Sequence, residues 1–128
     1  MSGAEVLAAA RAAIGARFRL HGRAVETGLD CVGLAAVALG RGAPDAYRLR
    51  TGDAAMVATA LRAAGLVEVP EAMAGDLLLC RSGVGQLHLA IRAEDGIVHA
   101  DAIARRVVER PGAVPWPVLS QWRLMEES

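Results

Sequence analysis

Three residues of this chain are of types, and at spacings, that could do covalent chemistry together. Cys31 stands in Gly28-Leu29-Asp30-Cys31-Val32-Gly33-Leu34, which runs straight into the apolar segment Ala35 to Leu39. Asp30 is a good helix N-cap, so a helix there begins close to the cysteine. Free backbone N–H groups and the positive end of the helix dipole favour an anion at that spot. The thiol is therefore expected to ionise more easily than a free one. A thiolate is a nucleophile, but it needs a base to hold it ready and to pass protons. His88 and His99, far downstream, are the candidates for that work.

Both histidines fall on one expected hairpin. In Gln86 to Arg92, Leu87, Leu89 and Ile91 share one face, while His88 and Ala90 share the other. In the next strand His99 lies on the face of Ile97 and Asp101. A tight two-residue turn at Asp95-Gly96 pairs Glu94 with Ile97 and offsets the histidines by roughly 13 Å along the strand. A wider loop spanning Arg92 to Asp95 sets His99 directly opposite His88, with Cβ atoms roughly 5 Å apart. Asp-Gly argues for the first register, and a working relay needs the second.

The elements that must position these side chains form a helical first half and a strand-rich second half. Glu5 to Ile14 carries an apolar stripe through Val6, Leu7, Ala10 and Ile14. Residues Ala16 to Leu29 read as irregular, broken by Gly22 and Gly28. A second helix runs from Asp30 to Leu39 and stops at Gly40. Gly42 to Arg50, with Pro44, is a loop, and Thr51 caps a third helix ending at Ala64 before Gly65. Strands follow at Asp76 to Arg81, Gln86 to Arg92, Ile97 to Ala102 and Arg105 to Glu109, with a last segment from Val118 to Met125. Helices first and an antiparallel sheet afterwards describe an α+β domain spanning residues 1–128. Phe18, Trp116 and Trp122 read as packing residues, with Trp116, between two prolines, covering a sheet edge.

Composition narrows the classes. With 54% hydrophobic residues the chain is not a disordered one. Fourteen arginines balance fourteen acidic residues, and the arginines are dispersed without an aromatic platform, which argues against a nucleic-acid partner. There is no lysine, so Schiff-base chemistry and a P-loop are excluded. Two cysteines are too few for a disulfide scaffold, and Cys80, ending the run Leu77-Leu78-Leu79, reads as a buried free thiol. The alanine-rich start carries Glu5 and Arg11 and lacks a continuous signal-peptide core. No apolar run is long enough to cross a membrane, so no membrane partner is expected.

Taken together, Gly15-x-x-Phe18, Asp30-Cys31-Val32-Gly33-Leu34, Gly75-Asp76-Leu77, His88-Leu89-Ala90-Ile91 and Val98-His99-Ala100 resemble, in that order, the NlpC-type cell-wall peptidases. The resemblance covers roughly residues 5 to 110 and implies a papain-like fold, with N-terminal helices packed on a small antiparallel sheet. It implies that Cys31 is the nucleophile, forming a thioester, that His88 is the general base, and that His99 orients the first imidazole. It implies a backbone oxyanion hole at Cys31 and a substrate-binding role for Asp30 toward a free amine. The substrate it implies is a peptidoglycan stem peptide, cut between D-γ-glutamate and a diamino acid. Within the family, Arg19-Leu20-His21-Gly22-Arg23 is most like the peptidases of phage tails and gene-transfer particles. That likeness suggests particle proteins as partners and delivery from the cytoplasm to the wall. Two departures stand out: many members carry a tyrosine where Phe18 stands and a serine where Val32 stands. Phe18 and His21 are the further residues expected to border the substrate.

No cofactor is expected. Cys31, His88, His99, Asp30 and His21 are legitimate zinc ligands, but no local chelating pair joins them, so zinc reads as an inhibitor of the site. The reading is a cysteine peptidase. An amidase or acyl transferase using the same thiol, and a non-catalytic assembly component of the same fold, are the alternatives.

Overall fold

A computed structural model of the chain describes residues 1–41, 49 and 52–125. Helix α1 (Gly3–Ala12) opens on a capping box, in which Ser2 Oγ accepts the Glu5 N–H and the Glu5 carboxylate accepts the Ser2 N–H. It begins and ends two residues earlier than expected, leaving Ile14 exposed beyond it. The segment expected to be irregular holds a short antiparallel pair, β1 (Arg23–Ala24) with β2 (Gly28–Leu29). Bridges tie it down further, Phe18 to Leu29 and Arg17 to Arg106. Helix α2 (Cys31–Leu39) starts at the cysteine, and Gly40 closes it at φ 63°, a left-handed turn that glycine adopts without strain. Helix α3 (Ala54–Ala63) is capped by Asp53, whose carboxylate accepts the Met56 N–H. The loop expected over residues 42–50 and Thr51 itself lie outside the described residues, Leu49 excepted.

The remaining strands are β3 (Leu66–Val69), β4 (Leu77–Gly83), β5 (Gln86–Ala93), β6 (Gly96–Asp101), β7 (Arg106–Pro111) and β8 (Val118–Leu124). They form one antiparallel sheet in the order β3-β8-β4-β5-β6-β7. Strand β3 was not expected from sequence. It is four residues long, between Gly65 and Pro70, and exists by pairing with β8.

The sheet is buried on its helix side and, at its centre, on the other side as well. Leu77, Leu79, Leu87, Leu89, Ile91 and Trp122 point toward the helices, as does Val98. Each large apolar side chain so buried contributes ~1.5–3 kcal/mol. Leu78, Cys80, Ala90 and Ile97 point the other way, under Ala72, Val114 and Trp116. Strand alternation assigns His88, His99 and Asp101 to this second face. Helix α2 buries Val32, Gly33, Leu34, Ala35, Ala38 and Leu39, so most of its surface is core and its start is fixed.

The hairpin takes neither expected register. Ala93 pairs with Gly96, Arg92 with Ile97 and Ile91 with Val98, so the turn is Glu94-Asp95 and the register places His99 opposite Ala90. Gly96 is a strand residue here, at φ 152°, and a methyl group on it would drive into the Arg110 carbonyl of β7. Close approach of the next strand, not the hairpin turn, accounts for the glycine.

The ladder between β5 and β6 then stops. The β4–β5 pairing continues to Gln86 and the β6–β7 pairing to Asp101, but β5–β6 pairing ends at Ile91 with Val98. Beyond that pair each strand is held only by its outer neighbour, and a split opens in the middle of the sheet. Helix α2 packs against both strands, with its first residue at the split.

Candidate active site

The split forms a cleft of about 520 Å³ lined by Cys31, His88, His99, Asp101, Phe18 and Trp116, with Asp30, Leu20 and Leu49 also on its walls. Cys31 reaches it because the Asp30 carboxylate starts α2 one residue earlier. Asp30 Oδ1 accepts the Gly33 N–H at 2.8 Å, and the Asp30 backbone is extended, as an N-cap requires. The carboxylate is buried and further engaged: Oδ1 accepts from Arg23 Nη1 at 2.9 Å and Oδ2 accepts the His21 N–H at 2.8 Å. Asp30 thus ties the 19–23 turn to the start of the cysteine helix.

His21 is exposed, at φ 61°, and is not among the described residues that line the cleft. Its backbone N–H donates to Asp30 at the edge of the site. Phe18 does line the cleft, half-buried against the core, with its N–H donated to the Arg105 carbonyl.

His88 and His99 meet across the split. His88 Nε2 and His99 Nδ1 are 3.0 Å apart, with the rings edge to face at 87°. Nε2 of His88 is thereby engaged, and Nδ1 is its other ring nitrogen. Trp116 packs on both rings, its centroid 4.8 Å from that of His88 and 5.2 Å from that of His99. Sequence reading made it the cover of a sheet edge, whereas it covers the two imidazoles. Asp101 was likewise not assigned to the site, although its alternation with His99 was the available signal. Its Oδ2 lies 4.0 Å from His99 Nε2.

Electrostatics reverse one expectation. Burial pushes the Cys31 thiol up, to about 12; N–H groups, first that of Leu89, act the other way, and the Asp30 charge adds to the rise. Burial, then the neighbouring His99, holds the His88 imidazole down at about 4, with Asp101 opposing. His99 is also lowered, by burial, with the Asp101 charge opposing and Arg110 reinforcing. The helix-start position does not outweigh removal from water, and at rest the cleft holds a neutral thiol and a neutral imidazole. Both shifts are costs of an isolated charge. Proton transfer from Cys31 to His88 creates both charges together, so their attraction offsets part of that cost.

Cys80 is fully buried on β4, opposite His88, and both cysteines are free thiols. Among the described residues no group of three His, Cys, Asp or Glu side chains is arranged to hold a metal ion. Nor is any described helix long and apolar enough to cross a membrane.

No protein-family model and no curated protein sequence matches the chain. Solved structures do. NlpC1 from Trichomonas vaginalis is similar with a TM-score of 0.68 and 18% identity, over 94% of this chain and 44% of that one. The NlpC/p60 domain of the peptidoglycan hydrolase SagA gives 0.59 and 25%, over 87% and 90%. The peptidoglycan hydrolase RipB from Mycobacterium tuberculosis gives 0.64 and 21%, over 98% and 65%. The chain therefore spans less than half of NlpC1 but nearly all of the SagA domain. Its fold is the papain-like α+β fold of the NlpC/p60 domains, the NlpC type that the cysteine motif implied.

Proposed function

We propose that the chain is a cysteine peptidase hydrolysing peptidoglycan stem peptides, at the bond from D-γ-glutamate to a diamino acid. The observation that carries this is the convergence of Cys31, at a capped helix start, with the bonded pair His88–His99 in one cleft. The similarity to SagA and RipB, both peptidoglycan hydrolases, supports the cell wall as target.

In the proposed cycle His88 Nδ1 takes the Cys31 proton as the sulfur attacks the scissile carbonyl. The Cys31 N–H, in the first turn of α2, donates to the developing oxyanion. The tetrahedral adduct collapses to a thioester, and His88 returns the proton to the leaving amine. Water, deprotonated by His88, then releases the acid. Phe18, Leu20 and Leu49 give the cleft an apolar wall, and no tyrosine hydroxyl stands at position 18. The finer placement, beside particle-borne peptidases with particle proteins as partners, rests on the 19–23 segment alone.

The test is a digest of γ-D-glutamyl-diaminopimelate peptides, read as release of a new amine. Release that Cys31→Ala abolishes is the expected result. Muropeptide binding without cleavage would instead indicate a non-catalytic component. Efficient capture of the acyl group by hydroxylamine would indicate a transferase.

A further inference from the structure

His99 is engaged on one side only. Its ring is 3% exposed, and Nδ1 meets His88, yet Nε2 is buried without a hydrogen-bond partner among the described residues. That atom faces Asp101 Oδ2 at 4.0 Å. Asp101 is itself held fast, because Oδ1 accepts the Ile103 N–H at 2.9 Å and the Ala104 N–H at 3.2 Å in the turn from β6 to β7. The fixed turn leaves Oδ2 directed at the ring.

We propose that Asp101 is a positioning residue that selects the tautomer of His99 and, through it, the nitrogen on which His88 carries its proton. The proposal deepens the peptidase reading, since it concerns the base of that same site.

A neutral imidazole has one donor nitrogen and one acceptor, so two arrangements of the pair are possible. In the first, His99 carries its proton on Nε2, toward Asp101, and Nδ1 accepts the Nε2–H of His88. His88 Nδ1 is then a lone pair, free to take the thiol proton. In the second, His99 donates from Nδ1, His88 Nε2 accepts, and His88 Nδ1 is already protonated and cannot act as a base. The second arrangement also aims the His99 Nε2 lone pair at a carboxylate. At 4.0 Å the oxygen is too far to be a direct acceptor, but its charge is poorly screened around so buried a ring. The charge favours a donor at Nε2 and so the first arrangement. Trp116, packed on both rings, keeps them in the geometry that passes this preference on.

The experiment is 15N NMR of the imidazoles in the resting protein at neutral pH, with the Cys31 iodoacetamide rate measured alongside. A protonated Nε2 and an unprotonated Nδ1 on both His88 and His99 is the expected pattern. Asp101→Asn keeps Oδ1 for the turn but presents no anion to the ring. It should mix or reverse the tautomers and slow Cys31 alkylation roughly tenfold, with the melting curve little changed. A wild-type His99 protonated on Nδ1, or an Asp101→Asn protein with unaltered spectra and alkylation rate, overturns the proposal. Neither readout uses substrate, so a chain that shows this pattern but cleaves no muropeptide refutes the peptidase reading and leaves the tautomer assignment standing.

Discussion

His88 Nε2 and His99 Nδ1 meet at 3.0 Å at a place where their two strands share no backbone hydrogen bonds. Regular pairing there would have filled the cleft with ladder. Ending it lets side chains of β5 and β6 face each other, and lets the start of α2 reach both. The proposed cycle then gives the two imidazoles different tasks. His88→Ala removes the proposed base and should cost roughly 10²–10⁴-fold in kcat. His99→Ala leaves that base in place but unoriented, and should cost less, at most ~100-fold, with KM little changed. Steady-state kinetics on the muropeptide decide it, and an equal loss from both variants would contradict the division of labour.

Stability should follow pH in a direction fixed by these burials. His88 sits at about 4 against an ordinary 6.5, so between those values the unfolded chain binds more protons than the native one. The contribution is fully present above 6.5 and is lost as pH falls toward about 4. It amounts to roughly 3 kcal/mol at most. On the alkaline side Cys31, at about 12, and Cys80, at about 11, keep protons that the unfolded thiols shed near 9.0. That stabilisation fades as pH rises above 9.0. Thermal melts across the range should show both limbs, with His88→Gln flattening the acid one. A wild-type acid limb that is flat, or identical in His88→Gln, counts against the burial argument. Alkylation of Cys31 should likewise climb with pH instead of saturating in mild acid.

Trp116 is the water shield of the pair. Trp116→Ala removes two edge-to-face contacts, each worth ~0.5–1.5 kcal/mol, and opens both rings to solvent. His88 should then titrate closer to 6.5 than to 4, and the acid limb of activity should move up with it. NMR titration of the two imidazoles checks this. An unmoved His88 would assign its low value to His99 and the helix side alone.

Much of the site was legible because its signals are local. Asp30 before an apolar run marks a helix start, and period-two alternation put His88, Ala90, Ile97 and His99 on one face, as found. What failed depended on contacts distant in sequence. Asp95-Gly96 is a good turn signal, but Gly96 answers to the Arg110 carbonyl across β7. Trp116 joins the histidines through a segment 17 residues past His99, with no local pattern to announce it. The thiol was expected to be acidic because a helix start is visible in sequence and burial of its sulfur is not. Nor does the sequence show that Asp30 holds His21, Arg23 and Gly33, two of them across the turn that packs on its helix.

That use of Asp30 makes the cysteine's position depend on a residue with no side chain. A Cβ on Gly33 would collide with the Gly22 carbonyl, so α2 can dock on the 19–23 turn only if position 33 is glycine. Gly33 also donates its N–H to Asp30, and the turn returns the His21 N–H to the same carboxylate. Gly33→Ala must push the turn and the helix start apart, straining both bonds, and should destabilise by ~1–3 kcal/mol. Asp30→Ala loses the cap and strands buried donors, at roughly 2–4 kcal/mol. Asp30→Asn keeps an acceptor at Oδ1 and should fall between Asp30→Ala and the wild type. Denaturant melts give the order, and Cys31 alkylation reports whether the sulfur has moved. If Gly33→Ala is as stable as the wild type and labels Cys31 at the same rate, the turn does not set the position of Cys31.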